Sequence, residues 1–283
     1  MESLKTWNYG AAVVHLIAAI LAITRLNKKS SRMVQMCRLQ FDEEKEKESR
    51  IDIPVKLEDT GKVDLKFIVV FFFAFTSFAH LLYATDFFGK GWYSSNVLQF
   101  GWNPFRWVEY SITAGVMIYL ISIASGTKDD VAALASALIV PGLMINGFTT
   151  ERALRQNALH DWSLNPMSMK KPEIDAEIVF SNLIPAWFLF GVNWFIILSN
   201  YYKLSTEAKN AGKPFDTSVT FMVYSQLGFF SLFGVIQTYQ VYRWYASKVG
   251  KTEPSFIVYE KAYIILSAIT KLLLGLTVAY ALR

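Results

Sequence analysis

The chain has 283 residues, of which 53% are hydrophobic and only 18% charged, and its net charge is +5. Soluble domains of this size carry about 25% charged residues, so the composition excludes a disordered chain and argues against a soluble globule. A single cysteine, Cys37, excludes an intramolecular disulfide framework and a cysteine-rich metal site, and basic charge diluted among apolar runs gives no sign of nucleic-acid binding. The mean hydropathy of +0.29 points instead to a membrane. A spanning helix needs about 20 mostly apolar residues, because the hydrocarbon layer is about 30 Å thick. Seven stretches meet that length. They run from Thr6 to Thr24, Phe67 to Thr85, Asn103 to Thr127 (broken by Arg106 and Glu109), Val131 to Thr150, Ile178 to Tyr202, Thr217 to Tyr242, and Ala262 to Leu282 (broken by Lys271). With flanking residues the spans are expected near 6–26, 65–86, 103–127, 130–151, 176–202, 216–244 and 256–282. The segment after Met1 carries one basic residue, Lys5, and no small-residue cleavage site, so it reads as the first span.

Most connections are short. The exception, residues 27–63, holds nine Lys/Arg and eight Asp/Glu. Within it Arg32–Phe41 and Ser49–Leu57 alternate apolar with polar residues around the charged stretch Asp42–Glu48. That pattern predicts a hairpin with a polar tip, the alternative being a solvated loop. Orientation follows from basic residues in the short segments: nine lie on the N-terminal side and five on the other. This favours a cytoplasmic N-terminus and an extracellular C-terminus, although counting the long first loop reverses the balance. The expected architecture is an all-α membrane protein, one seven-helix domain over residues 1–283, with a small β-hairpin in its first loop.

The charges inside the spans carry the chemistry. Lys271 has nine uncharged residues before it and eleven after it. An ammonium at mid-bilayer costs about 3 kcal/mol or more, so it needs a partner and marks a functional site. Glu109 is the natural partner: spans three and seven run in the same direction, and the lysine stem leans back toward the level of the carboxylate. Two chemistries fit. One is a structural ion pair locking two helices. The other is a lysine amine condensed with an aldehyde to give an iminium, which needs an anion such as Glu109 beside it. Met117, Met144, Trp187, Trp194, Phe229, Phe230 and Phe233 supply aromatic and sulfur walls for a long polyene, or else plain packing. Ser267 lies one turn before Lys271 on the same face, placed to bond either partner or its own backbone.

Span three reads Asn103-Pro104-Phe105-Arg106-Trp107-Val108-Glu109-Tyr110-Ser111, and span seven runs from Glu260-Lys261-Ala262-Tyr263-Ile264 to Leu266-Ser267 and Lys271. These stretches resemble two motifs of the heliorhodopsins, Arg-Trp-x-Glu-Tyr-Ser and Glu-x-Ala-Tyr-Ile-x-Leu-Ser-x-x-x-Lys. His15, His80, Phe229-Phe230-Ser231, Gln237 and Pro185 are similar to further family positions. Ser231 stands where an Asn is often found, and Trp187 is displaced by one residue from the family's Pro-Trp pair. The resemblance implies a rhodopsin-like fold with inverted topology, an exterior hairpin and a homodimer. It implies all-trans retinal bound to Lys271 as a protonated Schiff base, with Glu109 as counterion and Ser267 beside the linkage. The residues expected to bind the chromophore with them are Ser111, Met117, Met144, Trp187, Phe229, Phe230 and Ser231. His15, His80 and Arg106 would form a polar or proton-accepting cluster. Arg106, one turn from Glu109, is expected to pair with it or to bond headgroups, and Glu177 and Glu260 are expected to face water at span ends.

The spans show no second acid past Glu109 or Lys271, which argues against a pump. The favoured reading is a light sensor with a slow photocycle that signals to an unidentified partner. The alternatives are a light-driven or light-gated proton conductor and a seven-helix scaffold or lipid-modifying enzyme without retinal. No metal cluster or Ser-His-Asp set supports an enzyme.

Overall fold

The computed structural model describes residues 2–26, 33–41, 55–87, 89, 91–93, 103–164, 176–247 and 256–281. Its elements in chain order are α1 (Glu2–Arg25), β1 (Met33–Phe41), β2 (Val55–Asp64), α2 (Leu65–Ala84), α3 (Pro104–Ala124), α4 (Asp130–Leu164), α5 (Ala176–Asn210), α6 (Thr217–Ser247) and α7 (Phe256–Ala281). All seven helices are long and apolar enough to cross a membrane. Consecutive helices pack side by side and α1 closes the ring against α7, while α3 also reaches α5 and α6.

Local chemistry sets the helix starts. The Asp64 carboxylate accepts from the Lys66 N–H, so the last strand residue caps α2 with no loop between them. The Asn103 side chain accepts from the Arg106 N–H, and Pro104 follows it, where a missing N–H costs nothing. Asp129 and Asp216 cap α4 and α6 in the same way. Inside α4 and α5, Pro141 and Pro185 are accommodated without ending the helix.

The hairpin is antiparallel, with Met33 opposite Asp64 and Phe41 opposite Val55. Its second strand is therefore Val55–Asp64 and not the expected Ser49–Leu57, and the tip Asp42–Glu48 lies outside the described residues. The register is held from the far end, where Asp64 is both last strand residue and helix cap. A register shift between Met36 and Cys37 lies opposite Gly61, whose φ of 131° needs a glycine. The sheet docks on the start of α4: the Cys37 N–H donates to the Lys128 carbonyl at 2.9 Å and Arg38 makes a two-point contact with Asp130.

Burial divides the helices. On α3 and α7 polar and charged side chains turn inward, whereas α1 exposes Val13, Val14, Leu16, Ile17, Ile20 and Leu21. Lipid tails are as apolar as these side chains, so close packing has to hold the helices together. The contact of α2 with α7 shows how: a Cβ on Gly275 would lie 2.6 Å from the Phe73 ring, which is itself buried. Gly275→Ala is expected to destabilise the bundle by about 1–3 kcal/mol through overpacking. Gly191→Ala, where nothing lies within 4 Å, should change little. Thermal unfolding in detergent compares the two.

Candidate functional site

The Lys271 ammonium donates to Glu109 Oε1 at 2.8 Å and to Ser267 Oγ at 2.9 Å. Both charged side chains are about 95% buried, at 4% and 5% exposure. Glu109 Oε1 also accepts from the Thr76 hydroxyl on α2 at 3.1 Å and from Thr113 at 2.9 Å. One carboxylate oxygen thus gathers three donors from α2, α3 and α7, which is how a buried charge is made tolerable. Thr113 follows Glu109 by four residues and is legible from helical spacing. Thr76 sits on another helix and no sequence signal singles it out. The Tyr110 ring lies 5.3 Å from the Lys271 nitrogen, and its hydroxyl donates to the Tyr263 carbonyl, a second bridge between α3 and α7.

Beside this pair opens a mostly apolar cavity walled by α3, α4, α5, α6 and α7. Lys271, Ser267, Met117, Met144, Trp187 and Phe230 line it, together with Trp107, Tyr110, Tyr263 and Phe233. Trp187 owes its place to Gly234, where a Cβ would come within 2.8 Å of the indole, and its Nε1 donates to the Thr238 hydroxyl. The displacement of this tryptophan by one residue does not remove it from the wall.

Three expected wall residues are elsewhere. Ser111 donates to its own helix at Trp107 O and faces an outer groove between α2, α3 and α4. Ser231 likewise bonds the Leu227 carbonyl, and neither it nor Phe229 lines the cavity. Adjacent helical residues point about 100° apart, so the motif that brings Phe230 inward turns Phe229 and Ser231 away.

His15 and His80 meet on the α1–α2 side, their rings stacked at 5.7 Å. His15 Nδ1 is 2.7 Å from the Ala11 carbonyl and His80 Nδ1 2.8 Å from Asn8 Oδ1, so both Nδ1 atoms are assigned the proton. Both buried Nε2 atoms are left free to accept, with no partner among the described residues. Asn8 continues the chain to the Tyr93 hydroxyl at 3.2 Å.

Arg106 departs most from expectation. It bonds neither Glu109 nor the membrane surface. Its two terminal nitrogens pair with Glu151 on α4 and Glu260 on α7, and all three residues are at least 97% buried. Asn103 Nδ2 donates to Glu260 at 2.7 Å and the Trp107 indole to Glu151 at 2.8 Å. The Tyr263 ring lies 4.2 Å from the guanidinium carbon. Glu260 is therefore not a water-facing end charge, because one turn of α7 carries it in to the arginine. The side chain of Glu177 lies outside what the structure describes. Glu151 escapes a sequence reading because it ends an uncharged run, yet α4 continues to Leu164 and leaves it inside the helix. Arg106→Met is expected to cost about 3–5 kcal/mol at neutral pH, since two buried carboxyls lose their cation. The loss should shrink on acidification, which a melting series over pH measures.

No curated protein of similar sequence is found. The heliorhodopsin family matches residues 4–281, nearly the whole chain. With seven apolar helices around a buried lysine–glutamate pair, the chain belongs to the heliorhodopsin family, the retinal-binding, light-sensing rhodopsins of the membrane.

Proposed function

We propose that the protein is a photosensor with a slow photocycle and no robust ion pumping, binding all-trans retinal through Lys271. The observation that carries this is a buried lysine amine 2.8 Å from a buried carboxylate, on the wall of an aromatic and sulfur-lined cavity. The residues present fit the group: a nucleophilic amine at one wall, a serine hydroxyl beside it, and Trp107, Met117, Met144, Trp187 and Phe230 to enclose an apolar chain. Bound there as a protonated Schiff base, retinal supplies absorption in the green range and an isomerisation from all-trans to 13-cis.

The chain's own residues would do the rest. Glu109 Oε1, fixed by Thr76 and Thr113, opposes the positive charge at Lys271 Nζ and keeps the proton there in the dark. When that proton leaves, Glu109 is the nearest acceptor. His15 and His80, within electrostatic reach of Lys271, each offer a free ring nitrogen. Arg106 with Glu151 and Glu260 closes the N-terminal side by binding three helices together. We place the N-terminus in the cytoplasm and the C-terminus outside, on the balance of short-segment charge and the family resemblance. The same resemblance supports a homodimer, and a sensor needs a signalling partner.

A second reading, a light-driven or light-gated proton conductor, draws support from Glu151 and Glu260. They are buried acids on the N-terminal side, which the expected route lacked. Their engagement by Arg106 favours the sensor.

Added retinal should give a visible band that Lys271→Ala abolishes. A band that survives this substitution sinks the proposal. Glu109→Gln should move the band to longer wavelength and make the chromophore lose its proton at lower pH in an absorption titration. An unchanged spectrum would mean that another anion serves. Voltage-clamped cells should show no steady photocurrent if the protein is a sensor, and a current would select the conductor.

A further inference from the structure

The Arg106 centre does not balance. Glu151 and Glu260 are 0% and 2% exposed, and Arg106 is the only cation bonded to either among the described residues. Lys271 cannot serve them, because Glu109 occupies it. The other groups packed around the centre are neutral. On α3 these are Asn103, Trp107 and Tyr110, on α7 Tyr259 and Tyr263, at the end of α2 Tyr83, and beyond it Tyr93. Glu109 and Asp86, the other acids among the described residues within electrostatic reach of these groups, add negative charge already matched by Lys271 and Lys5. Two ionised carboxyls on one guanidinium would leave a net negative charge buried in a low-dielectric site, the arrangement proteins avoid by binding a proton.

We propose that Glu151 and Glu260 hold one proton between them against Arg106, forming a proton-storage site on the N-terminal side, distinct from the Lys271–Glu109 pair. The guanidinium fork fixes one oxygen of each carboxyl. Asn103 Nδ2 donates to the second oxygen of Glu260, and the Trp107 indole and Asn103 N–H donate to the second oxygen of Glu151. Donors reach both carboxyls, so neither is marked as the permanent acid and the proton belongs to the pair. The buried hydroxyls of Tyr263 and Tyr83 have no hydrogen-bond partner among the described residues; Tyr263 lies in the field of both carboxyls and Tyr83 in that of Glu260. The proton comes from water on the N-terminal side during assembly, so the site needs neither light nor a bound chromophore.

Infrared spectroscopy of the full chain in lipid nanodiscs, with isotope-labelled glutamate, tests this at neutral pH. In Glu109→Gln the carbonyl stretch of one neutral glutamic acid should remain and shift in heavy water. It should vanish in Glu109→Gln/Glu151→Gln and in Glu109→Gln/Glu260→Gln, where one carboxylate is left to match one arginine. The absence of a neutral glutamic acid in Glu109→Gln, or its persistence in both double variants, overturns the proposal. If the double variants do not fold, the Glu109→Gln spectrum still decides. There the band must titrate away as a single proton on raising the pH, and an ionised spectrum at neutral pH refutes it.

Discussion

The ion pair of Lys271 and Glu109 governs the interior. A charge at this depth is stable only with an opposite charge and hydrogen bonds to fill its remaining sites. The fold supplies these from three helices: Thr76 from α2, Thr113 from α3 and Ser267 from α7. The side chains bridge α3 and α7, and the Tyr110 hydroxyl bound to the Tyr263 carbonyl repeats the link nearby. Polar groups turn inward on these two helices while their outer faces carry apolar side chains such as Val108 and Leu276, as the outer face of α1 does.

Two ionic centres of different character result. At Lys271 and Glu109 the charges cancel one for one, at the edge of a mostly apolar cavity. At Arg106, one turn nearer the N-terminal side, a single cation binds two acids from α4 and α7 and joins three helices. Tyrosine rings lie between the centres: Tyr263 faces the guanidinium at 4.2 Å and Tyr110 lies 5.3 Å from the ammonium. Both tyrosines also line the cavity, so the same two rings border the cavity and the two ionic centres.

Packing of bulky rings against absent side chains fixes the cavity walls. Trp187 fits over Gly234, and the Trp107 ring occupies the space a Cβ on Gly147 would need, at 2.3 Å. Where the driving force between helices is weak, such close fits decide which rotamers a large aromatic can take. On the opposite side, the hairpin ties the first loop to α4 through Cys37 and Arg38, so the longest connection is anchored to the bundle.

The seven spans, the hairpin and the two charges inside the membrane were legible in the sequence. Length, hydropathy and strand alternation are local properties, and the cost of burying an ammonium demands a partner whatever the fold. Tertiary structure alone decided which groups meet. Helical spacing linked Arg106 to Glu109, but the arginine turned to Glu151 and Glu260 because α4 and α7 bring two carboxyls to its fork. Thr76 reached Glu109 from a helix with no marked signal. Ser111, Phe229 and Ser231 sit in or beside the right motifs and on the wrong faces. A side chain's direction is fixed by its helix's rotation within the bundle, which the packing of all seven helices sets and no single stretch encodes.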